Sequence, residues 1–133
     1  MNPSARSKRW LESHGYIVGS TERCIPQARR RIDLYRFIDL LAMPDHNTHG
    51  QVQRLVGIQA TSLTNVAGHC KKLSAEPNLL LWLRHGNLCE IHGWGLGGKR
   101  GARKTYRLRR LRAVVMGGEV TWIPPDDEPE VKA

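Results

Sequence analysis

The sequence predicts an α/β protein, a single domain in which helices flank a mixed β-sheet. Two short apolar runs, residues 36–43 and 55–61, are bounded by turn residues and are too short for helices, which indicates buried strands. The segments 4–14 and 62–86 carry helical spacing with capping and stop residues. Residues 105–116 add a long strand, and 133 residues are the length of one domain.

The first half of the chain is expected to form one helix and three strands. Ser4 can cap the helix and Gly15 can end it. A weakly patterned strand follows, and then a basic loop separates it from two more strongly apolar strands. The boundaries are 16–24 for the first strand, 25–35 for the loop, and 36–43 and 54–61 for the two apolar strands.

The second half is expected to form two helices and then three strands. The first helix begins at Ser62 or Thr64, and the second begins near Pro77, a residue suited to a first helical turn. Doubled arginines at 109–110 break the alternation of the long strand and indicate a bulge. The expected boundaries are helices to about 73 and from 77 to 86, strands 88–94, 105–116 and 119–123, and a glycine-rich loop 95–101.

The charge of the chain is strongly asymmetric. Its net charge is +9, but residues 1–125 carry 20 basic and 8 acidic side chains, and residues 126–133 carry four acids and one lysine. A basic body favours a polyanionic partner, most simply nucleic acid, although a basic protein without such a partner is the alternative. The acidic, proline-containing tail 124–133 is expected to be disordered beside a single folded domain, residues 1–123.

A segment that we call the basic arm, residues 99–112, holds eight basic residues and no acid. Such side chains bind phosphates by charge without reading sequence. A solvated strand face is the alternative. The predicted nucleic-acid-binding residues are Arg29 and Arg30 in the basic loop and Arg100, Arg103, Lys104, Arg107 and Arg109 in the arm.

The sequence also predicts the compartment. No stretch approaches the roughly 18 apolar residues of a membrane helix, so no membrane association is expected. The basic first nine residues lead into no apolar signal segment. Three widely spaced cysteines form neither a disulfide framework nor a zinc pair. These features favour the cytoplasm.

Each apolar run carries one polar residue that is unusual in a core: Asp39 in the first and Gln59 in the second. A buried carboxylate is costly unless it is paired or binds a metal. Mg²⁺ prefers oxygen ligands and needs only two or three from the protein. We therefore expect a Mg²⁺ (or Mn²⁺) site at Asp39 and Gln59, with Glu22 as a further ligand. The alternatives are a pair between Asp39 and Arg36, a hydrogen-bonded core Gln59, and a surface Glu22.

These stretches resemble the PD-(D/E)XK nuclease superfamily. The matching segments are residues 31–41, 57–62 and 88–94, and the similarity covers roughly residues 5–115. More narrowly, they resemble its small phage-type, Holliday junction resolvase-like and virus-type replication-repair members. The resemblance implies a restriction-endonuclease-like α-β-β-β-α-β core, a metal-dependent endonuclease acting on branched or structured DNA, and a homodimer. It places Asp39 and Gln59 in catalytic positions, and a phage-encoded protein would act in the host cytoplasm.

The chain departs from that family at Thr61, which stands where the family has a lysine. Lys71 and Lys72, on the following helix, are the candidates for a displaced catalytic lysine, and a solvated helix face is their alternative. His69 and Arg36 are weaker candidates. The leading hypothesis is thus a Mg²⁺-dependent phosphodiester hydrolase. The alternatives are a non-catalytic nucleic-acid-binding or regulatory module on the same fold, and a factor whose arm meets an acidic protein.

Overall fold

A six-stranded mixed sheet organises the fold, with one helix on one face and two on the other. The computed structural model describes residues 1–28, 30–45 and 54–125, without the side chains of residues 23–25, 28, 30 and 31. The elements are α1 (Pro3–Ser13), β1 (Tyr16–Ser20), β2 (Arg23–Ile25), β3 (Arg30–Ile32), β4 (Leu40–Pro44), β5 (Val56–Ser62), α2 (Val66–Ser74), α3 (Pro77–Arg84), β6 (Leu88–Gly97), β7 (Thr105–Met116) and β8 (Glu119–Ile123).

The strand order is β1-β4-β5-β6-β7-β8, and β2 pairs only with β3 in a small separate hairpin. β5 and β6 are parallel, while the other neighbours in the large sheet are antiparallel. Parallel neighbours need a crossover, and α2 and α3 supply it. The predicted α/β class, with a mixed sheet flanked by helices, is confirmed.

The two faces of the sheet carry separate cores because successive strand residues point to opposite faces. On one face, Leu11 of α1 packs with Leu40 and Ala42 of β4 and with Val56 and Ile58 of β5. The other core lies under α2 and α3. It holds Phe37, Ile38, Val66, Leu73, Leu79, Cys89, Ile91, Leu111 and Ala113.

The start of α1 differs from its prediction by two residues. Asn2, not Ser4, caps the helix: its Oδ1 accepts a hydrogen bond from the Ala5 N–H at 2.8 Å. Pro3 follows as the first helical residue, where its missing N–H costs nothing.

Strand β4 begins at Leu40, so the predicted start at residue 36 was wrong. The preceding residues form a tight turn closed by a bridge between Leu34 and Ile38. Tyr35 and Arg36 adopt left-handed conformations there, with φ of 52° and 73°. The first strand likewise ends at Ser20, before its predicted end, and the β2–β3 hairpin occupies most of the predicted basic loop.

Strand β7 has the predicted bounds, Thr105–Met116, but the predicted bulge at 109–110 is absent from it. The β6–β7 register is unbroken from Glu90↔Arg112 to Gly97↔Thr105. β6 also extends three residues beyond its predicted end. Among the described residues, no helix has the length and apolar character needed to cross a bilayer. The acidic residues 126–133 lie outside the described part of the chain.

Candidate functional site

Asp39 lies between the tight turn and the first residue of β4, and both of its backbone groups are bonded. Its N–H donates to the Ile58 carbonyl at 3.0 Å, and its carbonyl accepts from the Thr21 N–H at 3.1 Å. The Thr21 hydroxyl donates to the neighbouring Ile38 carbonyl at 2.9 Å. These bonds hold the Asp39 backbone next to the end of β1 and to β5. The point from which the Asp39 side chain projects is therefore fixed.

The Asp39 side chain meets Gln59 of β5, as the sequence predicted for adjacent strands. Gln59 Nε2 donates to Asp39 Oδ2 at 3.0 Å, and the Ala60 N–H donates to the same carboxylate at 3.2 Å. Both side chains are buried, Asp39 at 4% exposure and Gln59 at 5%. Gln59 Oε1 is buried and has no hydrogen-bond partner in the described part of the chain. A buried amide oxygen without a donor is costly, so this atom is suited to a further ligand.

The surroundings of Asp39 oppose its negative charge. Burial raises the pKa of Asp39 to about 7, against opposing hydrogen bonds from Ala60 and Gln59. The nearby carboxylates of Asp33 and Glu22 contribute to this raised pKa. Glu22 thus acts on this site through its charge, and its predicted role as a metal ligand stays a prediction. A cation placed here would offset the cost of ionising Asp39.

The donor set was compared with what a divalent cation needs. No group of three or more histidine, cysteine or acidic side chains converges on one point within the described residues. The Gln59 amide turns its nitrogen toward Asp39, so a cation shared by the two side chains requires the flipped amide, with Oε1 on the side of the carboxylate. Mg²⁺ keeps several waters beside one or two protein carboxylates. The residues present therefore fit a hydrated Mg²⁺ or Mn²⁺ and do not fit a dedicated zinc site.

Thr61 lies two residues beyond Gln59 on β5, hence on the same face of the sheet, and is 6% exposed. Its neighbour on β6 is Gly93. A threonine supplies no positive charge. Lys71 and Lys72 are exposed in the last turn of α2, and within the described residues neither forms an ion pair with Asp39.

Asp33 and His69, which were not among the leading candidates in the sequence, interact electrostatically with the Asp39 site. Asp33 raises the pKa of Asp39 and opposes the lowering of the His69 pKa. Burial lowers the pKa of His69, and the charge of Lys72 lowers it further. His69 Nδ1 is also buried without a partner among the described residues. The charge of Asp33 therefore acts both on Asp39 and on His69 of α2. In the sequence, the one indication of this role was the position of Asp33 at the start of the turn that leads to Asp39.

The basic arm divides into two parts. Lys99, Arg100, Arg103, Lys104, Arg107 and Arg109 are exposed, as expected for phosphate contacts. Lys104 Nζ donates to the Gly98 carbonyl at 3.0 Å, which closes the loop between β6 and β7. Arg29 lies outside the described residues, and Arg30 is described only by its backbone in β3.

Arg110 and Arg112 form the second part of the arm, and they pair with Glu90 instead of facing solvent. Arg110 Nε and Nη2 each lie 3.0 Å from the Glu90 carboxylate, and Arg112 Nη2 lies at 2.7 Å. Burial opposes the ionisation of Glu90, but the hydrogen bond with His92 and the charge of Arg110 lower its pKa to about 2. Arg110 and Arg112, which are not among the predicted nucleic-acid-binding residues, are thus held by Glu90.

The same network ties the sheet to α1. His92 is fully buried, and burial lowers its pKa, so it is neutral at pH 7. Its Nε2 lies 3.0 Å from Glu90 and its Nδ1 lies 2.9 Å from Ser7 Oγ. A carboxylate only accepts, so the proton is assigned to Nε2 and Ser7 donates to Nδ1. Trp94 Nε1 donates to Ser7 Oγ at 2.8 Å. The network fixes α1 to β6 and β7 and has no open face for a substrate at His92.

Comparison with known proteins gives no match: no protein-family model, no curated protein and no solved structure is similar to this chain. Function is therefore inferred from the geometry of the Asp39 site, the exposed part of the basic arm and the sequence resemblance of residues 31–41, 57–62 and 88–94.

Proposed function

We propose that this protein is a divalent-metal-dependent DNA endonuclease that acts on branched or structured DNA. The observation that carries the proposal is the buried Asp39–Gln59 pair, in which Gln59 Oε1 has no partner among the described residues. Two further carboxylates, Glu22 and Asp33, act on the same point. The resemblance to the PD-(D/E)XK superfamily supports the same activity, and the elements of the large sheet and its helices run in the order α-β-β-β-α-β once the separate β2–β3 hairpin is set aside.

Asp39 and Gln59 would hold the Mg²⁺ or Mn²⁺ ion. When bound, such a cation activates a water molecule and neutralises charge on the phosphate. The chain itself fixes Asp39 through its backbone bonds to Thr21 and to Ile58 of β5. The exposed arginines and lysines of the arm would bind the phosphates on either side of the cleaved bond.

The positive charge that Thr61 cannot supply would come from α2. Lys72 is one of the two lysine candidates, in the last turn of α2, and the charges that shift the pKa of Asp39 are those of Asp33 and Glu22. Lys71, its neighbour in the same turn, is the second candidate. A cationic side chain at this point would stabilise the charge that develops on the phosphate.

A four-way DNA junction labelled at one end tests the activity. We expect cleavage with Mg²⁺ or Mn²⁺ and none with a chelator. Asp39→Asn should lower the rate by at least about 100-fold, since removing one preorganised electrostatic group from a site commonly costs that much. Glu12→Gln, at an exposed position of α1, is the matched control and should cleave like the unmodified protein. Cleavage by Asp39→Asn at the parent rate would refute the assignment.

A second function, a non-catalytic DNA-binding or regulatory module, is favoured by one observation: the lysine position is occupied by a buried threonine. This function predicts salt-sensitive binding to the same junction with no metal-dependent cleavage. Comparing Lys72→Ala with the parent separates the two functions, because only an enzyme loses cleavage while binding is retained. From the resemblance we also propose that the protein is a homodimer, which light scattering coupled to gel filtration tests. We propose that it acts in the cytoplasm, that of the host if the protein is phage-encoded.

A further inference from the structure

A second cleft lies away from Asp39, between the start of α1, the β5–α2 connection and the ends of β6 and β7. It encloses about 460 Å³. Arg6, Leu63, Trp94, Leu96 and Tyr106 line it. The proposed chemistry at Asp39 uses none of these residues.

The cleft leaves aromatic and apolar surface open. Tyr106 is 49% exposed and Leu96, its partner across the β6–β7 ladder, is 61% exposed. Trp94, by contrast, is half-buried and bonded to Ser7. Adjoining exposed apolar and aromatic side chains are a feature of interaction sites.

One side of Tyr106 is held by an arginine. The Arg6 guanidinium carbon lies 3.5 Å from the centre of the Tyr106 ring, and Arg6 Nε is buried without a hydrogen-bond partner among the described residues. Arg6 thus fixes the orientation of the ring and adds positive charge beside it. An aromatic ring backed by a guanidinium is well suited to stacking on a nucleobase.

The positive charge around the cleft favours an anionic ligand. Residues 91–118 contain no acidic side chain. The loop 98–104 leaves β6 two residues after Leu96 and enters β7 two residues before Tyr106, and it carries four exposed basic residues: Lys99, Arg100, Arg103 and Lys104. The apolar floor and the basic rim therefore adjoin. A ligand that presents flat rings and negative charge at short spacing matches both, and an unpaired nucleic-acid strand has that chemistry.

We propose that this cleft binds unpaired nucleotides, with a base stacked on Tyr106 and the phosphates held by the loop 98–104. The inference rests on the proposed function, since it names the part of a branched DNA substrate that the protein grips: single-stranded bases next to the branch. An apolar segment of a partner protein is the competing occupant, and it would not need the basic rim.

The test uses fluorescence anisotropy in chelator, so that binding is read without cleavage. The probes are a labelled oligothymidylate and an abasic strand with the same number of phosphates. We expect the unmodified protein to bind the abasic strand more weakly than the oligothymidylate, roughly 5- to 100-fold, because stacking is lost while charge is kept. Tyr106→Ala should weaken oligothymidylate binding by a similar factor without changing the salt dependence, and Tyr106→Phe should restore it.

The matched control is Val115→Ala, at a residue 44% exposed near the other end of β7. It should bind like the parent. Equal affinity for the two probes, or a Tyr106→Ala variant that binds like the parent, would overturn the inference. Junction cleavage that persists in that case keeps the proposed function, whereas a protein that neither binds nor cleaves DNA removes both. The probe comparison needs no substitution, so a poorly folded variant does not obscure the result.

Discussion

The substitution Glu90→Gln tests the buried network that joins α1 to β6 and β7. Glu90 is 1% exposed and accepts hydrogen bonds from Arg110, Arg112 and His92. Glutamine is similar in shape but carries no charge. The variant therefore leaves the Arg110 guanidinium, 8% exposed, without its counterion.

Two routes give the size of the effect. Removing one partner of a buried ion pair costs about 3–5 kcal/mol, because an uncompensated charge is left in the interior. The pKa of Glu90 gives a second figure: its fall from 4.5 to about 2 is a shift of about 2.5, worth about 3 kcal/mol. Because the folded pKa lies below the unfolded one, this stability is present above pH 4.5 and is lost as pH falls toward 2.

The assay is urea denaturation at pH 7 followed by circular dichroism, with thermal unfolding as a second measurement. We expect Glu90→Gln to lower the free energy of unfolding by about 3–5 kcal/mol. For a chain of this length, that corresponds to a midpoint lowered by about 10–20 °C. Glu12→Gln should stay within about 0.5 kcal/mol of the parent. A loss below about 1 kcal/mol in Glu90→Gln would show that the pairs are not stabilising.

Three further predictions concern the site, the sheet and the arm. In chelator, Asp39 should contribute a loss of about 3 kcal/mol of stability between pH 5 and pH 8, seen as the difference between the parent and Asp39→Asn, because its folded pKa, about 7, lies above its ordinary value of 3.8; the lowered pKa values of His69 and His92 act in the opposite direction in both proteins. Asp39→Asn should remove that contribution from the denaturation curves, and the same pH dependence in both proteins would argue against it. Gly93→Ala should cost about 1–3 kcal/mol, because an added Cβ would overlap the valine of α2 that covers this position, whereas Gly19→Ala has open space and should be tolerated; equal costs would contradict the packing. Arg103→Ala should reduce the salt slope of duplex DNA binding by about 1, since one phosphate contact is lost, and Arg84→Ala on α3 should not; the opposite ranking would remove the arm from the interface.

Much of the fold was predictable because local signals and tertiary structure agree. Strand β7 has the predicted bounds, and β8 does as well. The start of β4 was not predictable, because the apolar run 36–43 continues through a tight turn. Tyr35 and Arg36 take left-handed conformations there without the glycine or asparagine that usually marks them.

The candidate site was predictable in part. Asp39 and Gln59 were expected on adjacent strands, and they contact each other. The unpartnered oxygen of Gln59 and the influence of Asp33 depend on side-chain orientation across the turn, which no spacing rule contains. Short motifs thus locate the strands that carry Asp39 and Gln59. They do not predict which other charged side chains shift the pKa of Asp39.

The buried network around Glu90 was also not predictable from residue spacing alone. Glu90 and His92 share a face of β6, and Arg110 and Arg112 share a face of β7, by two-residue spacing alone. Only the register, Glu90↔Arg112 and His92↔Arg110, brings the four together. Without it, the two arginines read as part of the exposed arm.

Anomalous diffraction from crystals soaked in Mn²⁺ tests the central claim most directly. We predict one Mn²⁺ peak with Asp39 and Gln59 Oε1 among its ligands, and no such peak in Asp39→Asn crystals soaked in the same way. A map with no peak at this pair, or with Mn²⁺ bound only elsewhere on the molecule, would contradict the assignment of a metal-dependent nuclease site.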